Sequence, residues 1–235
     1  MYNAYNAQQS VSRAQTLGAF MRGVYGWMAA GLGLTAAVAV FTASSPALMN
    51  LIFGNMITMI VLVVAQFGLV IALSAAINRL SAGAATGMFM LYSGLTGLTL
   101  SGIFAVYTGA TIASAFAVSA GMFLAMSIYG LVTKRDLTSW GSFLFMGLIG
   151  IILASVVNIF VQSTMMAKIL NYVGVLVFVG LTAYDTQRLK DMGEHAPLGD
   201  ATALRRGSIL GALTLYLDFI NLFLMMLRIF GGNRE

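Results

Sequence analysis

Two aspartates stand where carboxylates are costly. Asp185 lies in Gly180-Leu-Thr-Ala-Tyr-Asp-Thr-Gln187 and Asp218 in Leu213-Thr-Leu-Tyr-Leu-Asp-Phe-Ile-Asn-Leu-Phe223, with no other charge between Lys168 and Asp185 or between Arg206 and Arg228 apart from Asp218 itself. An ionisable side chain inside such an apolar run costs at least ~3 kcal/mol on membrane-insertion scales, which marks both as candidates for chemistry. Were the two carboxyls to meet at ~4 Å in an effective dielectric of ~20, a repulsion of ~4 kcal/mol would leave them holding one proton between them near neutral pH. A cation that prefers oxygen ligands competes for the same pair, so the site would answer both to protons and to calcium. The plainer alternatives are an interfacial Asp185 capped by Arg188 and a structural hydrogen-bond acceptor at Asp218.

Arg79 is the third candidate, the only charge between Arg22 and Lys134. It suits either a latch that pairs with Asp185 or an ordinary anchor snorkelling to the headgroups. Asn221 shares a helix face with Asp218 at i and i+3 and is a pathway candidate, as are Ser93 and Thr96 in the polar run with Thr99 and Ser101. Hydroxyls in apolar helices also bond their own turn, so that run carries less weight, and Asn158 and Gln66 carry less still. His195 sits among charged residues of a loop, where a solvated histidine is expected. With no cysteine and one histidine there is neither a thiolate nucleophile nor a multi-histidine metal site, and no nucleophile, base and orienter constellation points to an enzyme. No resident cofactor is expected.

These residues need a bilayer to hold them. Hydrophobic residues make up 60% of the 235, charged ones 8%, and the mean hydropathy is +0.92, which excludes a soluble monomer. The net charge of +5 is spread between apolar stretches instead of gathered on one face, so nucleic acid is not an expected partner. The uncharged gaps, measured against the roughly 20 residues that a span needs, predict an all-α membrane protein with seven spans near 23–43, 51–78, 82–103, 109–132, 140–161, 168–190 and 204–228. The expected organisation is a flexible polar tail over 1–22, one transmembrane domain over 23–230 and a short C-terminal tail over 231–235. Met1 to Gln15 has no basic start or short apolar core and does not read as a secretory signal.

Nine basic residues (Arg13, Arg22, Arg79, Lys134, Arg135, Arg188, Lys190, Arg205, Arg206) fall on one side of these spans and three (Lys168, Arg228, Arg234) on the other. The bias predicts a cytoplasmic N-terminus and, with seven spans, a C-terminus outside. Depth poses a difficulty, since Asp185 is three residues from Arg188 while Asp218 is twelve from Arg206, an axial offset of roughly 13 Å. The pair can meet only if the sixth helix continues beyond Lys190 and the seventh dips inward.

The two aspartate segments resemble the signatures of the transmembrane Bax-inhibitor-motif family. Val24-Tyr-Gly-Trp-Met28 and Ser93-Gly-Leu-Thr-Gly-Leu-Thr-Leu-Ser101 are similar to its bacterial inner-membrane branch. The resemblance implies a bundle of seven transmembrane helices with the last helix central, and a pH-gated calcium leak. Its aspartate pair maps onto Asp185 and Asp218, and its basic partner onto Arg79. The reading that follows is a passive, pH-modulated calcium leak through a bacterial inner membrane. Two alternatives stand beside it. One is a regulatory protein that engages a membrane protease or stress machinery through Tyr2 to Gln15. The other is a proton-linked transporter of a small metabolite.

Overall fold

The computed structural model describes residues 2–232, with side chains from Arg13 onward; the last residues of the expected C-terminal tail and the side chains of most of Tyr2–Gln15 lie outside the described residues. Among the described residues there are nine helices: α1 (Tyr2–Ala43), α2 (Pro46–Phe53), α3 (Met56–Ala76), α4 (Ala82–Leu100), α5 (Ile103–Val106), α6 (Gly109–Val132), α7 (Thr138–Val161), α8 (Thr164–Glu194) and α9 (Ala201–Gly231). Seven segments are long and apolar enough to cross a membrane: Arg13–Ala43, Met56–Ala76, Ala82–Val106, Gly109–Val132, Thr138–Val161, Thr164–Glu194 and Ala201–Gly231. The connections are short, the longest being the six residues 195–200.

Local chemistry sets the breaks. Pro46 opens α2 behind Ser45, whose hydroxyl accepts from the Leu48 N–H, because proline at the first helical position gives up only an N–H that has no helical partner. Asn55, Ser81 and Thr108 cap α3, α4 and α6 in the same way. At the end of α7, Gln162 takes a left-handed backbone (φ 53°), and the Asn158 side chain accepts from Ser163 N–H at 3.0 Å. The second span therefore starts at Met56 and not near 51, because α2 and its Gly54-Asn55 stop intervene.

The expected boundary at 22/23 is not a break. One helix runs through it, and Phe20, Met21 and Val24 are buried on it. Phe20 packs on Gly193 and Gly207, and its carbonyl accepts from the Ser208 hydroxyl at 3.2 Å. This apolar stripe makes residues 17–24 part of the packed helix, which polarity alone did not disclose.

The chain forms two compact units. The first holds residues 1–106 and 190–216, with α1 packed on α4 and α3 on α4. The second holds residues 107–189 and 217–235, with α6 and α7 against α8 and the second half of α9. The α9 span is the most enclosed, 67% of its apolar window being buried against 6–33% in the other six. Large apolar side chains such as Phe67, Phe143, Ile152 and Phe160 are exposed on α3 and α7; they suit contact with acyl chains.

Candidate functional site

Asp185 and Asp218 meet in the second unit, where their side chains are hydrogen-bonded to one another. Two carboxyls in such contact can share one proton. Both are enclosed, at 9% and 5% exposure. α8 continues to Glu194 and α9 begins at Ala201, so Asp185 lies inside its helix and not at its end, although helix length alone does not level it with Asp218.

Asp218 sits in an apolar collar. Phe219 beside it stacks edge-to-face on Phe116 and Phe123, with ring centres 5.4 and 5.6 Å apart, and Leu215 and Leu222 on the same helix are fully buried. Its Oδ2 atom is buried and has no hydrogen-bond partner. A buried carboxyl oxygen without a partner is costly, and it is also an open acceptor for a proton, a water or a cation. Two aspartates supply at most part of the six to eight oxygens that calcium takes. Among the described residues no group of three acidic or histidine side chains is assembled, so the remaining ligands would have to be water, hydroxyls or carbonyls.

The three side chains from Asp185 onward tie α8 to three different neighbours. Asp185 reaches Asp218 on α9, Thr186 meets Ser127 of α6 at 3.0 Å, and Gln187 spans the α6–α7 connection. The Gln187 amide donates to Arg135 O at 2.8 Å and its Oε1 accepts from Leu137 N–H at 2.8 Å. Gly130 lets α6 come so close that a Cβ there would strike the Ala183 carbonyl and approach Thr186 Cβ at 3.0 Å. Gly141 opens the equivalent space on α7 for the Tyr184 ring. Small residues at such crossings are how helices approach in lipid, where apolar burial supplies no drive between them. Sequence reasoning missed Ser127, Gly130 and Gln187; the clue was their small or polar character opposite the Asp185 segment. Beside the loop, Asp136 takes hydrogen bonds from the Thr138 side chain and N–H, which hold its carboxyl below the usual range.

The remaining candidates fall elsewhere. Arg79 lies in the first unit, exposed in the turn after α3, with its N–H on Ala76 O at 2.8 Å; its guanidinium joins no ion pair among the described residues. Asn221 is half-buried, and its side chain donates to Leu217 O of its own helix at 2.8 Å. The hydroxyls of Ser93 and Thr96 likewise bond Phe89 O and Tyr92 O at 2.9 Å. They also flank a hydroxyl that the sequence reading did not single out. Tyr216 is fully buried, pairs with Thr35 at 2.6 Å and interacts with the Ser93 and Thr96 side chains, while its ring stacks edge-to-face on Phe89 and Tyr92. His195 is an exposed loop residue paired with Asp191 at 3.3 Å.

The chain is similar to known membrane proteins over nearly its whole length. The chain is 62% identical over 215 residues to the inner membrane protein YbhL of Escherichia coli, covering 92% of both chains. It is 45% identical to a protein of Borreliella burgdorferi over 92% of this chain and 93% of that one, and 42% identical to a protein of Deinococcus radiodurans over 99% and 96%. The model of the Bax1-I family, described as inhibitor of apoptosis-promoting Bax1, matches residues 17–235. With seven membrane-length helices and a match over nearly its whole length, the chain belongs to the Bax1-I family.

Proposed function

We propose that the protein is a passive cation leak pathway of a bacterial inner membrane, with calcium as the permeant ion and Asp185 and Asp218 as its ion and proton site. The observation that carries this reading is the buried Asp185–Asp218 hydrogen bond together with the unpartnered Oδ2 of Asp218. Such a pair is costly to keep in an apolar span unless it exchanges its proton for something else. The cytoplasmic N-terminus follows the basic-residue bias. The inner-membrane location accords with the name of the Escherichia coli relative. No bond is made or broken in this role, and the bilayer and the ion are the only partners it requires. Acid removes ligand charge from the pair, so the flux-against-pH profile reports how its protonation sets the leak.

The test is calcium entry into liposomes loaded with a calcium-sensitive dye. The unmutated protein is expected to pass calcium, and Asp218→Asn, which keeps the shape but removes the charge, to abolish most of the flux. No flux from the unmutated protein, or unchanged flux from Asp218→Asn, overturns the proposal.

A further inference from the structure

The first unit carries an arginine cluster that the ion pathway does not use. Arg206 is half-buried, and its Nη1 donates to Asn78 O at 2.8 Å and Leu80 O at 3.3 Å, the two carbonyls that flank Arg79. Arg205 donates from Nη2 to the Thr86 hydroxyl at 3.3 Å, and its guanidinium lies 5.4 Å from the centre of the Trp27 ring. Arg79 itself is exposed between those carbonyls. The guanidinium groups of Arg205 and Arg206 are thus held beside the first turns of α4, with Arg79 in the turn that leads into it, where the helix presents its positive end behind the Ser81 cap.

Among the described residues no carboxylate balances them. The acidic residues of this unit are Asp191, Glu194 and Asp200. Asp191 pairs with His195, Asp200 accepts from Ala203 N–H at 2.8 Å, and among the described residues none of the three lies within ion-pair distance of Arg79, Arg205 or Arg206. The heads of Arg205 and Arg206 are nevertheless fixed, by backbone carbonyls, a hydroxyl and an aromatic face, and their remaining N–H groups are left for an anion. An ordinary snorkelling anchor has no need of that fixation; a planar fork held in place suits an oxyanion. Trp27 sets the level, because tryptophan favours the headgroup region of a bilayer.

We infer that Arg79, Arg205 and Arg206 around the start of α4 form a binding site for the phosphate of an anionic phospholipid in the leaflet at that end. Phosphate chemistry alone would also admit free inorganic phosphate. The lipid is favoured because Trp27 and the apolar flanks of α3 and α4 provide for acyl chains beside the charge. The site is independent of calcium flux.

The experiment uses the full chain with Trp140→Phe, leaving Trp27 as its one tryptophan, in phosphatidylcholine bilayers containing a minority of phosphatidylglycerol. Brominated phosphatidylglycerol is expected to quench Trp27 several-fold more than brominated phosphatidylcholine at the same mole fraction. Each arginine removed is expected to lower that preference about fivefold, the equivalent of about 1 kcal/mol per basic group at an anionic surface. The variants are Arg205→Gln with Arg206→Gln and, since its exposed side chain supports no fold contact, Arg79→Gln alone. Arg228→Gln, at the far end of α9, should leave the preference intact. Equal quenching by the two lipids, or a preference that survives both arginine variants, overturns the inference. Loss of the preference on adding excess inorganic phosphate overturns the lipid as occupant.

Discussion

Replacing Gly130 by alanine tests whether the closeness of α6 and α8 is what holds the aspartate pair together. The added methyl would strike the Ala183 carbonyl and lie 3.0 Å from Thr186 Cβ. Neither is the far end of a flexible side chain, so the helices themselves must part by roughly half an ångström or more. Overpacking of this kind costs about 1–3 kcal/mol, and for a chain of this length each kcal/mol lowers the melting temperature by about 2–4 °C, giving a fall of roughly 2–12 °C. Gly121 on the same helix is the matched control, since nothing lies within 4 Å of the Cβ it lacks. Thermal unfolding of the two variants in one detergent separates the lost approach from any general effect of alanine in α6. Separation also strains the Asp185–Asp218 hydrogen bond, because a carboxyl pair tolerates only a few tenths of an ångström beyond its ordinary spacing. The folded fraction of Gly130→Ala should therefore carry calcium at a rate different from the parent. Equal melting temperatures for Gly130→Ala and Gly121→Ala would refute this account of the α6–α8 crossing.

Three further outcomes follow from other contacts. Gln187→Ala removes both hydrogen bonds to the 133–137 connection, and trypsin should then cut after the exposed Lys134 or Arg135 several-fold faster, as expected when about 1 kcal/mol of loop closure is lost; an unchanged rate would show that Gln187 does not hold the loop. A double-mutant cycle of Thr35→Val and Tyr216→Phe should give a coupling of about 0.6 kcal/mol, with ~1.7 kcal/mol as the ceiling seen for such bonds in membranes; zero coupling would mean the 2.6 Å contact contributes nothing to stability. Asp136 should titrate below the usual carboxylate range in a carbon-detected NMR experiment, and Thr138→Val, which removes the largest cause of the depression, should move the midpoint upward. A carboxyl with a depressed folded pKa supports the fold only while ionised, so its contribution is present above the unfolded value and fades as the pH falls through the folded one.

Membrane spans and the aspartate pair were legible because both follow from rules that act along the chain. Uncharged gaps from Arg22 to Arg79, Arg79 to Lys134, Asp136 to Lys168 and Lys168 to Asp185 locate the helices, since lipid forbids unpaired backbone. Asp185 and Asp218 declared themselves by the cost of charge in apolar surroundings. What stayed hidden depends on neighbours distant in sequence. The burial of Phe20 needs Gly193, Gly207 and Ser208, and the Tyr216 cluster needs Thr35, Ser93 and Thr96 on two other helices. Pairing of Arg206 with the Asn78 and Leu80 carbonyls was likewise invisible, because a backbone acceptor leaves no mark on residue type.

The shortness of the connections has its own consequence. With no link beyond six residues between helices, the molecule between Arg13 and Gly232 offers the aqueous phases on either side scarcely more than turns. Within that stretch a macromolecule would find few solvated loops and mostly helix faces, and selectivity there would rest on steric fit and buried polar matches instead of on solvated epitopes.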